Sequence, residues 1–296
     1  MSYMLKDSFL KYLSLERNYS EDTICSYSVD LEQFEAFLKG VDEHLDFCTV
    51  DAEVIRSWVI SLMDNNYKAS SVNRKLSTLR SFYHYLLRIN KVEVDPTIKV
   101  VAPKKGKVLP VFVKEADMDR LLDEVDFGRT FKGIRDRMII EMFYSTGVRC
   151  SELVQLDDCD IDFLAKQIKV TGKRNKQRLI PFGREMLMDM KSYLSERYEC
   201  CPGSCGAFFV NEKGKRLSCA TVGLIVKRNL SKVVTLKKRS PHVLRHSFAT
   251  SMLNNEAELE SVKELLGHAS LAATEIYTHT TFEELKKVYE LAHPRA

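Results

Sequence analysis

The stretch SPHVLRHSFAT, Ser240 to Thr250, reads as the start of a helix carrying two cationic or near-cationic side chains with no acidic neighbour. Ser240 suits the N-cap, and Pro241 suits the first helical position, where the missing N–H has no partner to lose. His242 then falls in the first turn, where free backbone N–H groups and the helix dipole favour an anion. Arg245, three residues on, lies over the same face. Leu244, Phe248 and Met252 turn towards a core. The plainer reading is a capped helix with polar surface residues; the sharper one is a phosphate-binding surface.

The surroundings of this stretch are basic. From Lys213 to Asn255 there is no Asp or Glu, against ten Lys and Arg. Residues 1–100 hold 12 basic and 15 acidic side chains, a net of −3, and the remaining 196 residues hold 33 and 26, a net of +7. Such asymmetry points to a polyanionic partner for the later part, most often nucleic acid, or else to a solvated basic surface. A chain of 296 residues, 45% hydrophobic and 29% charged, accommodates two soluble domains. No apolar run approaches the roughly 20 residues that span a bilayer, and the opening residues lack the apolar stretch of a secretory signal, so a cytoplasmic protein without membrane attachment is expected. Eight cysteines are spread widely, which suits reduced thiols. The cluster Cys200–Cys205 lacks a second pair at zinc spacing and reads as a surface loop; no metal and no cofactor are expected.

The first hundred residues show helical periodicity. Ile24, Tyr27, Leu31, Phe34 and Leu38 follow Ser20, Val54 to Met63 follow Asp51, and Val72, Leu76, Leu79, Tyr83 and Leu86 follow Ser70, each as a candidate N-cap. With the Phe9–Leu13 segment this makes a bundle of about four helices over residues 1–95. Residues 96–110, in VDPTIKVVAPKKGKVLP, carry three prolines and four lysines without helical period and read as an interdomain linker. The second domain, 111–296, opens with helices in KEADMDRLLDEV and at Ile134–Ser145, the latter ended by Gly147. A short helix follows in RCSEL. Then IDFLAKQIKVTGKRNKQRLIPF alternates like strands, with turns at Leu164–Lys166 and Lys173–Lys176. Helices return at Thr221–Leu230, Pro241–Leu253, Leu259–Leu266, Leu271–Tyr277 and Phe282–Leu291, the last behind a Thr281/Glu284 capping box.

Four further positions bear chemistry. Arg149 in STGVRCSEL starts a helix behind a glycine stop, and Lys173 in TGKRNKQR sits at a tight turn between strands. His268 follows Gly267 in ELLGHAS, and Tyr277 lies nine residues later in EIYTH. Each has a plain reading: surface Arg, hairpin Lys, interhelical His, half-buried Tyr. Their joint order is what chance does not supply.

With Arg149, Lys173, His242, Arg245, His268 and Tyr277 in these settings, the chain resembles the tyrosine recombinases (the phage integrase, or lambda-integrase-like, family) over nearly its whole length. The ending AHPRA, and the absence of an extra arm-binding domain, look most like the Xer subfamily. The resemblance implies a mainly α fold with a small β-sheet: a helical core-binding domain and a helical catalytic domain decorated by the sheet, forming a C-shaped clamp on DNA. It also implies an enzyme for site-specific recombination, independent of metal and ATP, that cleaves and rejoins DNA through a 3′-phosphotyrosyl intermediate. Tyr277 would be the nucleophile, His242 the proton acceptor or hydrogen-bond partner, Arg149 and Arg245 the clamp on the phosphate oxygens, Lys173 the acid for the departing 5′-oxygen, and His268 a further phosphate donor.

The partners so implied are a double-stranded recombination site, identical or paralogous protomers assembled as a tetramer on synapsed DNA, and a DNA translocase or other accessory protein. Candidate DNA contacts are Arg74, Lys75, Arg80, Lys104, Lys105, Arg174, Lys238 and Arg239. Phe282, Leu285 and Val288 on the last helix are candidate anchors on a neighbouring protomer, the alternative being a cap on their own domain. Two departures from the family pattern stand out: Arg174 replaces a usual glycine, and Glu256 in LNNEAEL replaces another, for which Asn255 is expected to supply the left-handed residue. Cys150, beside Arg149, reads as a packing group or a redox liability. The roles open to the chain are Xer-type resolution of chromosome or plasmid dimers, with chromosome partition and cell division as its setting, or recombination for a mobile element. A type IB topoisomerase and a non-catalytic DNA-binding regulator are the competing classes.

Overall fold

The computed structural model describes residues 2–104, 106, 111–172, 175–203, 205–267 and 282–296. The chain divides into two compact units, Met1–Val108 and Leu109–Ala296. The sequence reads residues 96–110 as a linker between the units, but Val100 is buried in the first unit's core, Arg80 Nη2 donates to the carbonyl of Val100 at 3.0 Å and Asn73 Nδ2 to that of Pro103 at 3.0 Å. Residues 96–103 thus fold onto the helices before them.

The first unit contains α1 (Ser2–Leu15), α2 (Glu21–Val41), α3 (Ala52–Asp64) and α4 (Ala69–Arg88). Their apolar stripes meet in a core around Phe9, Leu31, Phe34, Trp58, Leu76, Phe82 and Leu86. Asp51 caps α3 by accepting from the Val54 N–H at 2.9 Å. Helix α4 begins one residue before Ser70, with extended Lys68 as its N-cap, so Ser70 is not the cap the sequence suggests. Asp30 of α2 is fully buried and accepts from Arg74, Lys75 and Thr78 of α4, a charged knot that ties two helices inside an apolar core.

The second unit is built around α6 (Phe131–Thr146), a helix with scarcely a solvent face. Around it lie α5 (Glu115–Asp119, continued by a π-type turn), α7 (Cys150–Gln155), α8 (Arg184–Cys200), α9 (Cys219–Leu230), α10 (Pro241–Asn254), α11 (Leu259–Leu266) and α12 (Phe282–Ala292). A three-stranded antiparallel sheet, β1 (Ile161–Asp162), β2 (Gln167–Thr171) and β3 (Gln177–Pro181), has the order β1-β2-β3. Its inward residues Ile168, Val170 and Ile180 join the main core. The expected mainly α fold with a small sheet is what is found.

Three local expectations need correction. Ser240 is the N-cap of α10, yet among the described residues its buried hydroxyl has no hydrogen-bond partner, so the proline at N1 and the extended backbone of Ser240 set the helix start. At the end of α10 it is Glu256, φ +64°, that adopts the left-handed conformation, while Asn255 stays at φ −95°. Asn255 is otherwise engaged: its side chain donates to the carbonyl of Ala292 at 3.0 Å. Finally, Leu285 of α12 is buried beside Phe248, Met252, Val262 and Leu265, with Val288 packed against the same cluster. The last helix packs on its own domain, with Leu285 buried and both Phe282 and Val288 half-buried.

The tail beyond α12 completes the core. Buried His293 pairs through Nε2 with the carbonyl of Tyr144 at 3.1 Å and stacks on Tyr289. Arg295 meets Asp123 at 3.0 Å, Glu185 at 2.9 Å and the buried Glu141 at 3.4 Å.

Candidate active site

The site grows from two helix stops. Gly147 ends α6 at φ +59° and Gly267 ends α11 at φ +63°, conformations that side chains resist. At Gly147 a Cβ would also meet the Phe248 ring at 2.5 Å. The turn at 147 lets the chain reverse directly into α7, so Arg149 becomes the N-cap of that helix with an extended backbone. Glu152, at the third helical position, accepts from the Arg149 N–H at 2.8 Å and from Arg149 Nη1 at 2.7 Å. Arg149 Nη2 reaches across to the carbonyl of Gly267 at 3.0 Å.

Arg245 approaches from α10, which presents it in the second turn. Its guanidinium is buried and donates to the carbonyls of Gly147 and Leu266, each at 2.6 Å. The two arginines therefore straddle the same two helix stops, and each is aimed by main-chain carbonyls of rigid turns. The carbonyls beside them belong to Leu266 and Gly267, the residues that immediately precede His268.

Two further residues, which the sequence reading did not single out, complete this arrangement. Buried Glu152 is gripped from the other side by Arg178 of β3, whose Nη1 and Nη2 each lie 2.9 Å from one carboxylate oxygen. Arg178 Nε donates to the carbonyl of Leu265 at 2.8 Å. The strand alternation holds the clue: Arg178 shares its face with the buried Ile180, an unusual place for an arginine unless a carboxylate awaits it. Gly172 gives the Glu152 carboxylate room, since a Cβ there would lie 3.3 Å from Oε1. Its N–H donates to the carbonyl of Lys176 at 2.8 Å and closes the base of the β2–β3 hairpin.

The electrostatics of the cluster are dominated by its guanidiniums. Burial pushes the Glu152 carboxyl up, but Arg178 and then Arg149 outweigh it and hold it down at about 2. Burial, and then the charges of Arg149 and Arg178, bring Arg245 down to about 10, with Glu152 offsetting part of this. Three guanidiniums against one carboxylate leave two positive charges (three minus one) in a partly water-excluded space. His242 is exposed; its pKa lies below the ordinary histidine value, through partial desolvation first and then Lys238, His246, Arg245 and Arg149. Its imidazole is therefore neutral at pH 7. Cys150 is pushed up to about 12 by burial and then by neighbouring Cys219, so it packs as a thiol beside Arg149.

Of the six site residues, Arg149 and Arg245 meet at the two helix stops as described, and His242 is exposed in the first turn of α10, three residues before Arg245. Lys173, His268 and Tyr277 lie outside the described residues, as do Lys105, Arg174, Thr281 and the expected helix Leu271–Tyr277. Among the DNA-contact candidates, Lys104 and Lys238 are exposed and Arg239 half-buried. Lys75 is a correction: its ammonium is buried 2.9 Å from Asp30 and presents nothing to a ligand. Arg74 spends its fork on the same carboxylate, and Arg80 on the Val100 carbonyl. Cys201 is buried in the core beside exposed Cys200 and Cys205, so the cysteine cluster is only in part a surface loop. Among the described residues no group of His, Cys, Asp and Glu is arranged to hold a metal ion.

Residues 112–284 match the phage integrase family, and residues 7–90 match the phage integrase N-terminal SAM-like domain. The chain belongs to the phage integrase family. It is 41% identical over 292 residues to tyrosine recombinase XerC of Staphylococcus saprophyticus, covering 99% of this chain and 98% of that one. It is likewise 41% identical to tyrosine recombinase XerC of Staphylococcus aureus, over 99% and 97% of the two chains. Among solved structures, the fold resembles XerH site-specific recombinase bound to its difH substrate, with a TM-score of 0.70, 23% identity and coverage of 95% and 83%. It also resembles the Tn1549 transposon integrase in complex with circular-intermediate DNA, with a TM-score of 0.73, 18% identity and coverage of 96% and 98%. This recombinase is thus a tyrosine site-specific recombinase of the Xer type. Among its described residues no helix is long and apolar enough to cross a membrane.

Proposed function

We propose that this recombinase breaks and rejoins duplex DNA at a specific site by direct transesterification, with Tyr277 as nucleophile. The phenol oxygen attacks the scissile phosphorus and the bond to the 5′-oxygen breaks. A 3′-phosphotyrosyl link and a free 5′-hydroxyl result, and the bond energy is conserved for religation onto a second duplex. A phenol with an ordinary pKa near 10 needs an acceptor for its proton, and neutral His242 supplies one. Arg149 and Arg245 hold the non-bridging oxygens, whose charge grows in the pentacoordinate transition state. Lys173 protonates the leaving 5′-oxygen, and His268 donates a further hydrogen bond to the phosphate.

The observation that carries this reading is the pair of guanidiniums, each fixed by carbonyls at 2.6–3.0 Å, in a cluster that keeps two surplus positive charges. A preorganised, desolvated cationic site of this kind stabilises a phosphorane without reorganising. Neutralisation by side chains also leaves the reaction independent of divalent metal and of ATP. Both units contact the duplex. The basic run ahead of α10, with exposed Lys238, holds backbone phosphates through a salt-dependent interaction.

Protomers of this chain or of a paralogue assemble as a tetramer on two synapsed sites, assisted by a translocase or other accessory protein. The setting is the cytoplasm, the outcome resolution of chromosome or plasmid dimers. The test is a nicked suicide duplex in EDTA. Wild-type protein should accumulate a covalent adduct at the 3′ side of the break, while Arg149→Ala and Arg245→Ala lose it by at least about 100-fold. A cleavage reaction that needs Mg²⁺, or that survives either substitution, contradicts the reading.

A further inference from the structure

Arg178 has no role in the chemistry just described, although its planar fork joins Glu152 of α7 to the Leu265 carbonyl of α11. We propose that Arg178 is a positioning residue for DNA cleavage, holding Glu152 so that Arg149 keeps both its aim and its positive charge. This inference rests on the proposed role of Arg149 at the scissile phosphate.

The geometry is close to saturated. Glu152 Oε1 accepts from Arg149 Nη1 at 2.7 Å and Arg178 Nη1 at 2.9 Å; Oε2 accepts from the Arg149 N–H at 2.8 Å and Arg178 Nη2 at 2.9 Å. All four acceptor directions of the carboxylate are used. The third nitrogen of Arg178 is spent on the Leu265 carbonyl at 2.8 Å, and its side chain is only 14% exposed. Arg178 therefore has no free edge for a phosphate, and its influence passes through Glu152.

Two consequences follow from its removal. Glu152 would be left with Arg149 as its one ion-pair partner, and the pair would be neutral, halving the surplus charge of the cluster from two to one. The carboxylate would also lose the fork that fixes its plane, and with it the direction of the Arg149 guanidinium. The Leu265 carbonyl would lose its donor too, loosening the turn that supplies Gly267 O to Arg149 Nη2. Gly267 is packed onto Arg178, since a Cβ there would meet its Nη1 at 3.0 Å and Cδ at 3.1 Å. Lysine retains one charge but has neither the bidentate fork nor the third coplanar donor.

The test uses the full chain and a nicked suicide duplex whose sequence the wild-type protein has selected from a random-core pool. Single-turnover cleavage at saturating protein and half-saturation of binding are measured for Arg178→Met, Arg178→Lys, Glu152→Gln, the double variant Glu152→Gln/Arg178→Met, and Arg149→Ala. Cleavage by Arg178→Met should fall about 100-fold, as for other ångström-scale misplacements of a catalytic group, while binding shifts less than about threefold. Arg178→Lys should fall by at least about tenfold, and it decides the matter should the methionine variant not fold. The double variant should cleave within about threefold of Glu152→Gln alone, because both changes break one linkage. Wild-type-like cleavage by Arg178→Lys, a loss confined to DNA affinity, or multiplicative losses in the double variant would overturn the proposal. Normal cleavage by Arg149→Ala would remove the underlying reading itself, whereas a defect in Arg149→Ala with none in the Arg178 variants would remove this inference alone.

Discussion

Glu152→Gln is the substitution whose stability effect is most fully fixed by the structure. Glu152 is 2% exposed and accepts four hydrogen bonds, all from Arg149 and Arg178. Burial alone would raise its carboxyl, yet the two arginines hold it at about 2. Against an ordinary glutamate value near 4.3 this is a depression of roughly 2 units, worth about 3 kcal/mol of stability at pH 7. Glutamine forfeits that contribution and turns an amide N–H₂ towards guanidinium N–H groups. Because the folded-state pKa is depressed, the stabilisation is present above the unfolded pKa and disappears as pH falls towards 2. The gap between wild type and variant should therefore be almost complete at pH 5 and about half closed near pH 3. The assay is urea unfolding of the full chain by far-UV circular dichroism, with fluorescence of Trp58, the sole tryptophan, recorded in parallel. Trp58 lies in the core of the first unit, so its transition should stay in place while the second unit's moves. A variant within about 1 kcal/mol of wild type at pH 7, or a gap unchanged between pH 7 and 3.5, would refute the reasoning.

Other substitutions test other parts of the structure. Asp30→Ala strands the buried ammonium of Lys75 and should lower the Trp58 transition by about 3–5 kcal/mol, with no change contradicting the packing. Arg295→Ala leaves the fully buried Glu141, whose carboxyl burial already raises, without its cation. A group with a raised carboxyl pKa destabilises the fold when ionised, so the variant should be weakened at pH 7 and partly recover towards pH 5; an equal deficit at both pH values would count against the ion pair. In single-turnover cleavage, loss of rate on acidification should centre below pH 6.5, the ordinary histidine value, and vanish from the profile in His242→Gln; a midpoint above that value would contradict the neutral-acceptor role.

Much of the fold was legible because its signals are local. Helix stops at Gly147 and Gly267 need one residue each, and the amphipathic stripes of α2, α3 and α11 repeat at helical spacing. Helix α6 was legible as an element but not as the centre of a domain, because Asp136 and Glu141 are charges met by Arg228 and Arg295, partners far along the chain. Lys75 misled for the same reason: its partner Asp30 lies 45 residues away, and no periodicity announces a buried ion pair. At the site, Arg149, His242 and Arg245 stood out by their settings at helix starts. Glu152 and Arg178 did not, since a glutamate at the third helical position and an arginine on a short hairpin are each ordinary until folding joins them. The inward turn of Leu285 and Val288 depends on the complementary face of α10 and α11, which sequence alone leaves open to an internal or an external partner.

The central claim is that Tyr277 becomes covalently joined to DNA under the direction of the arginine cluster. Mass-spectrometric mapping of the trapped adduct after protease and nuclease digestion tests it most directly. A nucleotide linked through its 3′-phosphate to Tyr277, formed in EDTA and absent from Tyr277→Phe, is the expected result. A nucleotide found on any other residue, or an adduct that persists in Tyr277→Phe, would contradict it.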